Sequence, residues 1–260
     1  MKQHYVKYLL VSLVAMLLSL SARAYDTCIN DIFYDLDATT KQATVVGSYD
    51  QETITIPATV TYNHVVYDVT AIGESAFRDK IHLTEVSVPE SVTSIGDRAF
   101  EYCIYLHSIN IPEGVTRIGD YTFRACHGLG SINIPEGVTS IGNYAFYVCS
   151  NMYSITIPSS VTSIGRDVFY GCGRLTSITI SEGVTSIGDG AFHGCKSLTE
   201  PIYTSKLFVY MPSAFEGEYT IPSGIETICG DAFYYCSGLT SITIPSSVTS
   251  IRPGAFSGCI

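Results

Sequence analysis

Along most of the chain, apolar residues come in two short bursts that alternate with serine, threonine and glycine, followed by one tight cluster. One round reads Leu175-x-x-Ile178-x-Ile180, then Val184-x-x-Ile187-Gly188, then Ala191-Phe192-x-x-Cys195. The first burst predicts a short strand with one buried face, closed by a proline such as Pro158. The second predicts another extended piece, ending at a glycine read as a sharp bend that uses positive φ. The cluster turns the chain back toward the next leucine, so each round closes into one rectangular coil.

The repeat is strict. Ile72, Ile95, Ile118, Ile141, Ile164 and Ile187 follow one another at intervals of 23 residues, as do Ile228 and Ile251. Five residues after each stands a phenylalanine, from Phe77 to Phe256. Three further on comes a cysteine in seven copies (Cys103, Cys126, Cys149, Cys172, Cys195, Cys236 and Cys259), with Lys80 in that place in the first. A coil this small buries too little apolar surface to offset the ordering of its own backbone. The coils must therefore stack, with equivalent strands ~4.8 Å apart and each apolar side chain resting on its counterpart in the next coil.

The elements Leu-x-x-Ile-x-Ile-Pro, Val-Thr-x-Ile-Gly-x-x-Ala-Phe and Cys-x-x-Leu, spread over residues 71–260, resemble the bacterial surface-protein leucine-rich repeats of the BspA type. The resemblance implies a leucine-rich repeat solenoid of 23-residue coils, with parallel β strands stacked along one axis. It also implies adhesion to host matrix proteins or to other cells. The pattern departs from the general leucine-rich consensus, because the cysteine comes three residues before the first leucine position.

Two places break the rhythm. Near residues 199–221 the stretch "PIYTSKLFVYMPSAFEGEYTIP" lacks the Ala-Phe-x-x-Cys turn, and the strand phase, expected at Tyr203, returns after only 18 residues at Ile221. This predicts an irregular, shortened coil. At the front, Ile54-Thr55-Ile56-Pro57 precedes the first full copy by nine residues too many. The extra residues, "VTYNHVVYDV", predict a hairpin turning at Asn63-His64, and residues 25–70 read as a small N-terminal β cap. Ile260 falls one residue past Cys259, in mid-coil, which predicts a truncated array or a frayed last turn.

The first 24 residues stand apart. Lys2 and Lys7 give a basic start, Tyr8 to Leu20 is an apolar run of 13 residues, and Ala22-Arg23-Ala24 offers a small-residue cleavage site. They read as a signal peptide for export, the run being shorter than the ~20 residues a membrane-spanning helix needs. The protein is thus expected to be secreted or displayed at the cell surface, with no spanning segment after signal removal. Of the 14 basic residues that removal takes three and no acid, leaving 11 against 24 acidic residues, a formal charge of −13. Such a chain repels phosphate backbones, which argues against a nucleic-acid partner.

The chemistry is sparse. Seven of the nine cysteines share one phase and are expected to form a column of buried thiols, since parallel side chains fit disulfide geometry poorly. There is no Cys-x-x-Cys, and the histidines His64, His82, His107, His127 and His193 fall at different phases. Gly-x-Ser-x-Gly, His-Glu-x-x-His and phosphate-loop motifs are all missing, so no catalysis, metal or cofactor is expected. Asp97 and Asp120 fall in register and read as solvated turn residues.

What varies from coil to coil is more informative. On the strands the outward positions are small and monotonous: Ser108 and Asn110, Ser131 and Asn133, Ser154 and Thr156, Ser177 and Thr179. Just after the phenylalanine the chain carries Arg78, Glu101, Arg124, Tyr147, Tyr170, His193 and Tyr234, with Tyr102 and Tyr235 one residue further on. Two readings stand. The tyrosines cover apolar turn atoms, or Arg78, Arg124, Tyr147, Tyr170, His193 and Tyr234 form a recognition strip for a protein or glycan macromolecule, since tyrosine and arginine concentrate in interfaces. A structural spacer within a larger surface protein is the alternative to an interaction protein. A carbohydrate-handling enzyme would need paired carboxylates in a cleft.

Overall fold

The computed structural model describes residues 25–259; the export signal expected over residues 1–24, and Ile260, lie outside the described residues. Among those described there is no α-helix, so none is long and apolar enough to cross a membrane. The second bursts pair in parallel at a register of one repeat: Ser140 lies opposite Ser163 and Ser163 opposite Ser186, with Ile141, Ile164 and Ile187 beside them. The first bursts pair likewise, Ser154–Ile157 against Ser177–Ile180. The first-burst ladder is not continuous, however. It forms separate short sheets over residues 53–109, 154–180 and 217–243. Asn110 is also not simply outward: its side-chain amide takes both backbone groups of Val88 in the preceding coil, at 2.8 and 2.7 Å.

The turns between the ladders are themselves hydrogen-bonded from coil to coil. In one arc Arg98, Phe100 and Tyr102 donate their N–H groups to the carbonyls of Asp120, Thr122 and Arg124, and Tyr121, Phe123 and Ala125 donate to Asn143, Ala145 and Tyr147. This third ladder requires two left-handed residues per arc, for example Tyr121 (φ 59°) and Ala125 (φ 59°), then Tyr144 (φ 57°) and Val148 (φ 57°), then Asp167 (φ 51°) and Gly171 (φ 72°). The glycine that follows the isoleucine in six of the eight copies is not one of them, contrary to the sequence expectation. It is needed because neighbouring coils approach closely there: a Cβ on Gly96 would sit 2.5 Å from the nitrogen of Glu74, and one on Gly165 2.6 Å from that of Asn143.

Inside the coils the phenylalanines form one column. Phe77, Phe100, Phe123, Phe146, Phe169 and Phe192 stack with centroids 5.3–5.6 Å apart, all of them buried. Beside them runs the cysteine column, every thiol free. Cys103, Cys126, Cys149, Cys172 and Cys195 each donate Sγ–H to the phenylalanine carbonyl of the preceding coil, at 3.0–3.2 Å. Cysteine suits the position because it is small, tolerates burial and still offers a weak donor to the lone pair that the carbonyl has left over. Cys236 is held more loosely, at 3.7 Å from the carbonyls of Met211 and Pro212, and Cys259 is only partly buried.

The irregular coil departs from its expected form. Tyr203 does not continue the first-burst ladder. Ile202–Tyr203 instead folds antiparallel onto Leu207–Tyr210, and that second strand joins the other ladder, with Phe208 beside Ile228. Buried Thr204 closes the hairpin by accepting from the N–H groups of Lys206 and Leu207. The strand then runs straight to Met211 without an outer arc, and Phe208 restarts the aromatic column by stacking on Phe233 at 4.8 Å. The buried core divides at this point into a large cluster and a smaller one that runs from Phe208 to Ala255.

At the front, β1 (Thr27–Ile29), β2 (Ile32–Asp37), β3 (Gln42–Ser48), β5 (Thr59–Tyr62) and β6 (Val65–Ile72) form a sheet in the order β1-β2-β3-β6-β5, while β4 (Thr53–Thr55) starts the first-burst ladder. β5 and β6 are the expected hairpin, with Asn63 (φ 49°) and His64 (φ 65°) as its two turn residues. The far end of β6 pairs in parallel with Ser94–Ile95, so the sheet runs directly into the coils.

Candidate functional site

Because the arcs are in register, residues of one phase lie above one another at the arc surface. All six sequence-predicted residues fall in a single file. Arg78 and Arg124 flank Glu101, their guanidinium groups 3.1 and 2.8 Å from its carboxylate. The Arg124 guanidinium lies 5.5 Å from the Tyr147 ring centre, Tyr147 stacks on Tyr170 at 4.7 Å, Tyr170 meets His193 at 4.7 Å, and His193 meets Tyr234 at 4.1 Å. The last contact spans 41 residues of sequence. It forms because the irregular coil has no arc of its own, so the turn of His193 closes directly on that of Tyr234, and Gly230 donates its N–H to Asp189 across the same gap.

Glu101 is fully buried, with Arg98 as a third cation 3.8 Å away. It is the anchor of the cationic end of the file rather than an exposed part of it. Desolvation opposes the Arg124 charge, but the hydrogen bond to Glu101 and the neighbouring Tyr102, Glu101 and Tyr147 more than offset it, so the guanidinium stays above its usual pKa. Burial likewise pushes the phenol of Tyr147 up, which keeps the ring neutral and protonated at physiological pH.

A second file runs alongside, and the sequence reading missed it. Arg98 lies over Tyr121 at 4.6 Å, Tyr121 stacks on Tyr144 at 4.8 Å, and Arg166 lies over Tyr144 at 5.5 Å. Tyr144 also meets Tyr147 edge-on at 5.7 Å, joining the files. The signal was available at the phase three residues before Arg124 and Tyr147, which Tyr121 and Tyr144 occupy. Asp97 and Asp120, expected to be merely solvated, instead accept the backbone N–H of the next coil at 2.8 and 2.9 Å and so hold the edge of the arcs together. Among the described residues no three His, Cys, Asp or Glu side chains gather as a metal site.

The surface thus offers flat rings, cations and phenol hydroxyls in a long strip, an arrangement suited to holding a partner by stacking and hydrogen bonding. A comparison with curated proteins finds no match. Solved structures do match. A leucine-rich repeat protein from Bacteroides ovatus is 27% identical over 90% of this chain and 80% of that one, with a TM-score of 0.69. One from Eubacterium ventriosum is 30% identical over 90% of this chain and 63% of its own, with a TM-score of 0.53. The pneumococcal vaccine antigen PcpA, 17% identical over 90% of this chain and 68% of that one, shares the fold, with a TM-score of 0.55. The family model of the BspA type leucine rich repeat region matches residues 70–199 and 212–260 in six copies. Those two blocks flank the hairpin coil and cover more than half of the sequence, and the chain belongs to the BspA type leucine rich repeat family.

Proposed function

We propose that this is a secreted or cell-surface interaction protein that presents its arc surface to a protein or glycan partner, on host matrix or on other cells. Residues 25–70 close one end of the array, and the coils over residues 71–260 carry the binding surface, interrupted by the shortened coil near residues 199–221. The observation that carries the reading is the unbroken file from Arg78 to Tyr234. The buried phenylalanine and cysteine columns and the backbone ladder already stack the arcs, yet their surface positions hold arginine, tyrosine and histidine, while the strand face holds mostly serine and threonine. A strip several coils long, at ~4.8 Å per coil, matches the scale of a macromolecule and is too open for a small substrate. The export signal read in residues 1–24 and the family's link with bacterial surface proteins support the location.

The experiment is capture on arrays of purified matrix proteins and immobilised glycans. It compares the wild-type chain with Tyr147→Ser/Tyr170→Ser and with a strand-face control, Thr156→Ala/Thr179→Ala. Loss of capture in the tyrosine pair alone is the expected result; loss in the control alone would move the site to the strand face. If no partner is captured, the alternative of a structural spacer gains ground.

A further inference from the structure

The missing arc of the irregular coil leaves a hollow of about 160 Å³ at the end of the file. Its floor is Tyr210, whose hydroxyl is already committed to the carbonyl of Cys195 at 3.2 Å. Its wall is the pair Tyr234 and Tyr235, centroids 4.5 Å apart and 73° from parallel. Tyr235 is 58% exposed, so a face of its ring is open to solvent. Tyr121 and Tyr144 fill the corresponding phase in earlier coils, but here it is held by Gly190 and Gly254 on either side of Asp231. A Cβ on Gly254 would lie 2.5 Å from the Asp231 carboxylate.

We infer that this hollow is a subsite for a single neutral pyranose ring of a glycan partner, which stacks on Tyr235 and bonds its hydroxyls to Asp231 and Lys196. The inference deepens the proposed role of the arc file and rests on it. The lining decides the chemistry. A cationic side chain from a partner would face Lys196, and an anion would face Asp231. A purely apolar group would strip water from both charges and return no hydrogen bond to either. A sugar ring has an apolar face of C–H groups and a rim of hydroxyls that both donate and accept, so it satisfies the aromatic wall and the two opposite charges together. The volume points the same way, being well below the ~300 Å³ at which pockets for larger ligands begin.

The test uses the full exported chain with the methyl glycosides of glucose, galactose, mannose and N-acetylglucosamine, read by saturation-transfer NMR and by tyrosine fluorescence, which is unobscured because the chain has no tryptophan. Two variants keep the left-handed backbone that residues 231 (φ 60°) and 235 (φ 54°) adopt, namely Asp231→Asn and Tyr235→Gly. At least one neutral glycoside should bind in the millimolar range, with saturation strongest on one ring face, and each variant should weaken it tenfold or more. The strand-face pair Thr156→Ala/Thr179→Ala should leave glycoside affinity unchanged, because neither residue lines the hollow. Binding by none of the glycosides, binding that survives both variants, or stronger binding of methyl-ammonium or acetate controls would each overturn the subsite. An array partner that is lost with the Tyr147/Tyr170 pair but indifferent to Asp231→Asn and Tyr235→Gly would leave the file standing and remove only the subsite.

Discussion

Two backbone positions in every arc call for a left-handed conformation, and the residues that meet it are unequal. Val148 and Gly171 occupy the same position in successive coils, at φ 57° and 72°. A β-branched residue is strained there by roughly 1–2 kcal/mol, and glycine is not. Gly171→Val should therefore destabilise the protein by about that amount, while Val148→Gly should stabilise it by ~1 kcal/mol despite the side chain lost; urea titration of the two variants measures both signs. The thiols make a second prediction. Burial pushes Cys103 and Cys172 up to about 12, and Cys126, Cys149 and Cys195 well above their ordinary value. Acids whose folded-state pKa lies above the unfolded one add stability that is fully present below the unfolded value, near 9, and is lost as pH rises toward the folded value. Each such thiol should cost about 1.4 kcal/mol per pH unit above 9, so thermal unfolding followed from pH 8 to 11 should show a steep alkaline decline. At pH 8 exposed Cys28 should alkylate fast and these five only on unfolding. Glu101 makes the third case. Glu101→Ala leaves Arg98 and Arg124 without this carboxylate and Arg78 with Asp79 alone, and should cost about 1.5–3 kcal/mol, more than loss of any one of those arginines.

At the scale of the coil, the stacked phenylalanines carry the argument. Phe146 touches Phe123 at 5.5 Å and Phe169 at 5.6 Å, so Phe146→Ala should cost ~3–5 kcal/mol and lower the whole unfolding transition. Phe208 has a different place, at the point where the core divides. Phe208→Ala should uncouple the last coils, giving a second, earlier transition in urea and early hydrogen exchange in residues 217–243. The coils were legible in the sequence because a stacked array forces every round to present the same floor and ceiling, so packing is written as periodicity. The arc ladder was not legible. It depends on left-handed φ at Tyr121, Tyr144 and Val148, residue types that give no hint of it, whereas the conspicuous glycine that follows the isoleucine in six copies answers to close approach between coils. The hairpin of the short coil was hidden for a related reason: Ile202–Tyr203 keeps the repeat spacing from Ile180, and only the turn made by Thr204 shows that the chain reverses.

For the molecule as a whole, the array converts sequence phase into position in space, and that is why the file from Arg78 to Tyr234 could be named from the sequence. Its continuity across the irregular coil could not, since Tyr234 is 41 residues from His193 and meets it only because one arc is missing. Nor could the internal anchoring of the cationic end, where Glu101 lies in the same file but is turned inward. The central claim, that a partner seats on the arcs and not on the strands, is open to tyrosine footprinting. The protein would be iodinated briefly, alone and saturated with whichever partner the arrays capture, and each tyrosine then quantified by mass spectrometry. Tyr153, which is 55% exposed and precedes the strand Ser154–Ile157, serves as the strand-face reference. The account predicts that the partner protects Tyr147, Tyr170 and Tyr234 and leaves Tyr153 as reactive as before; protection of Tyr153 with the three file tyrosines unchanged would contradict it.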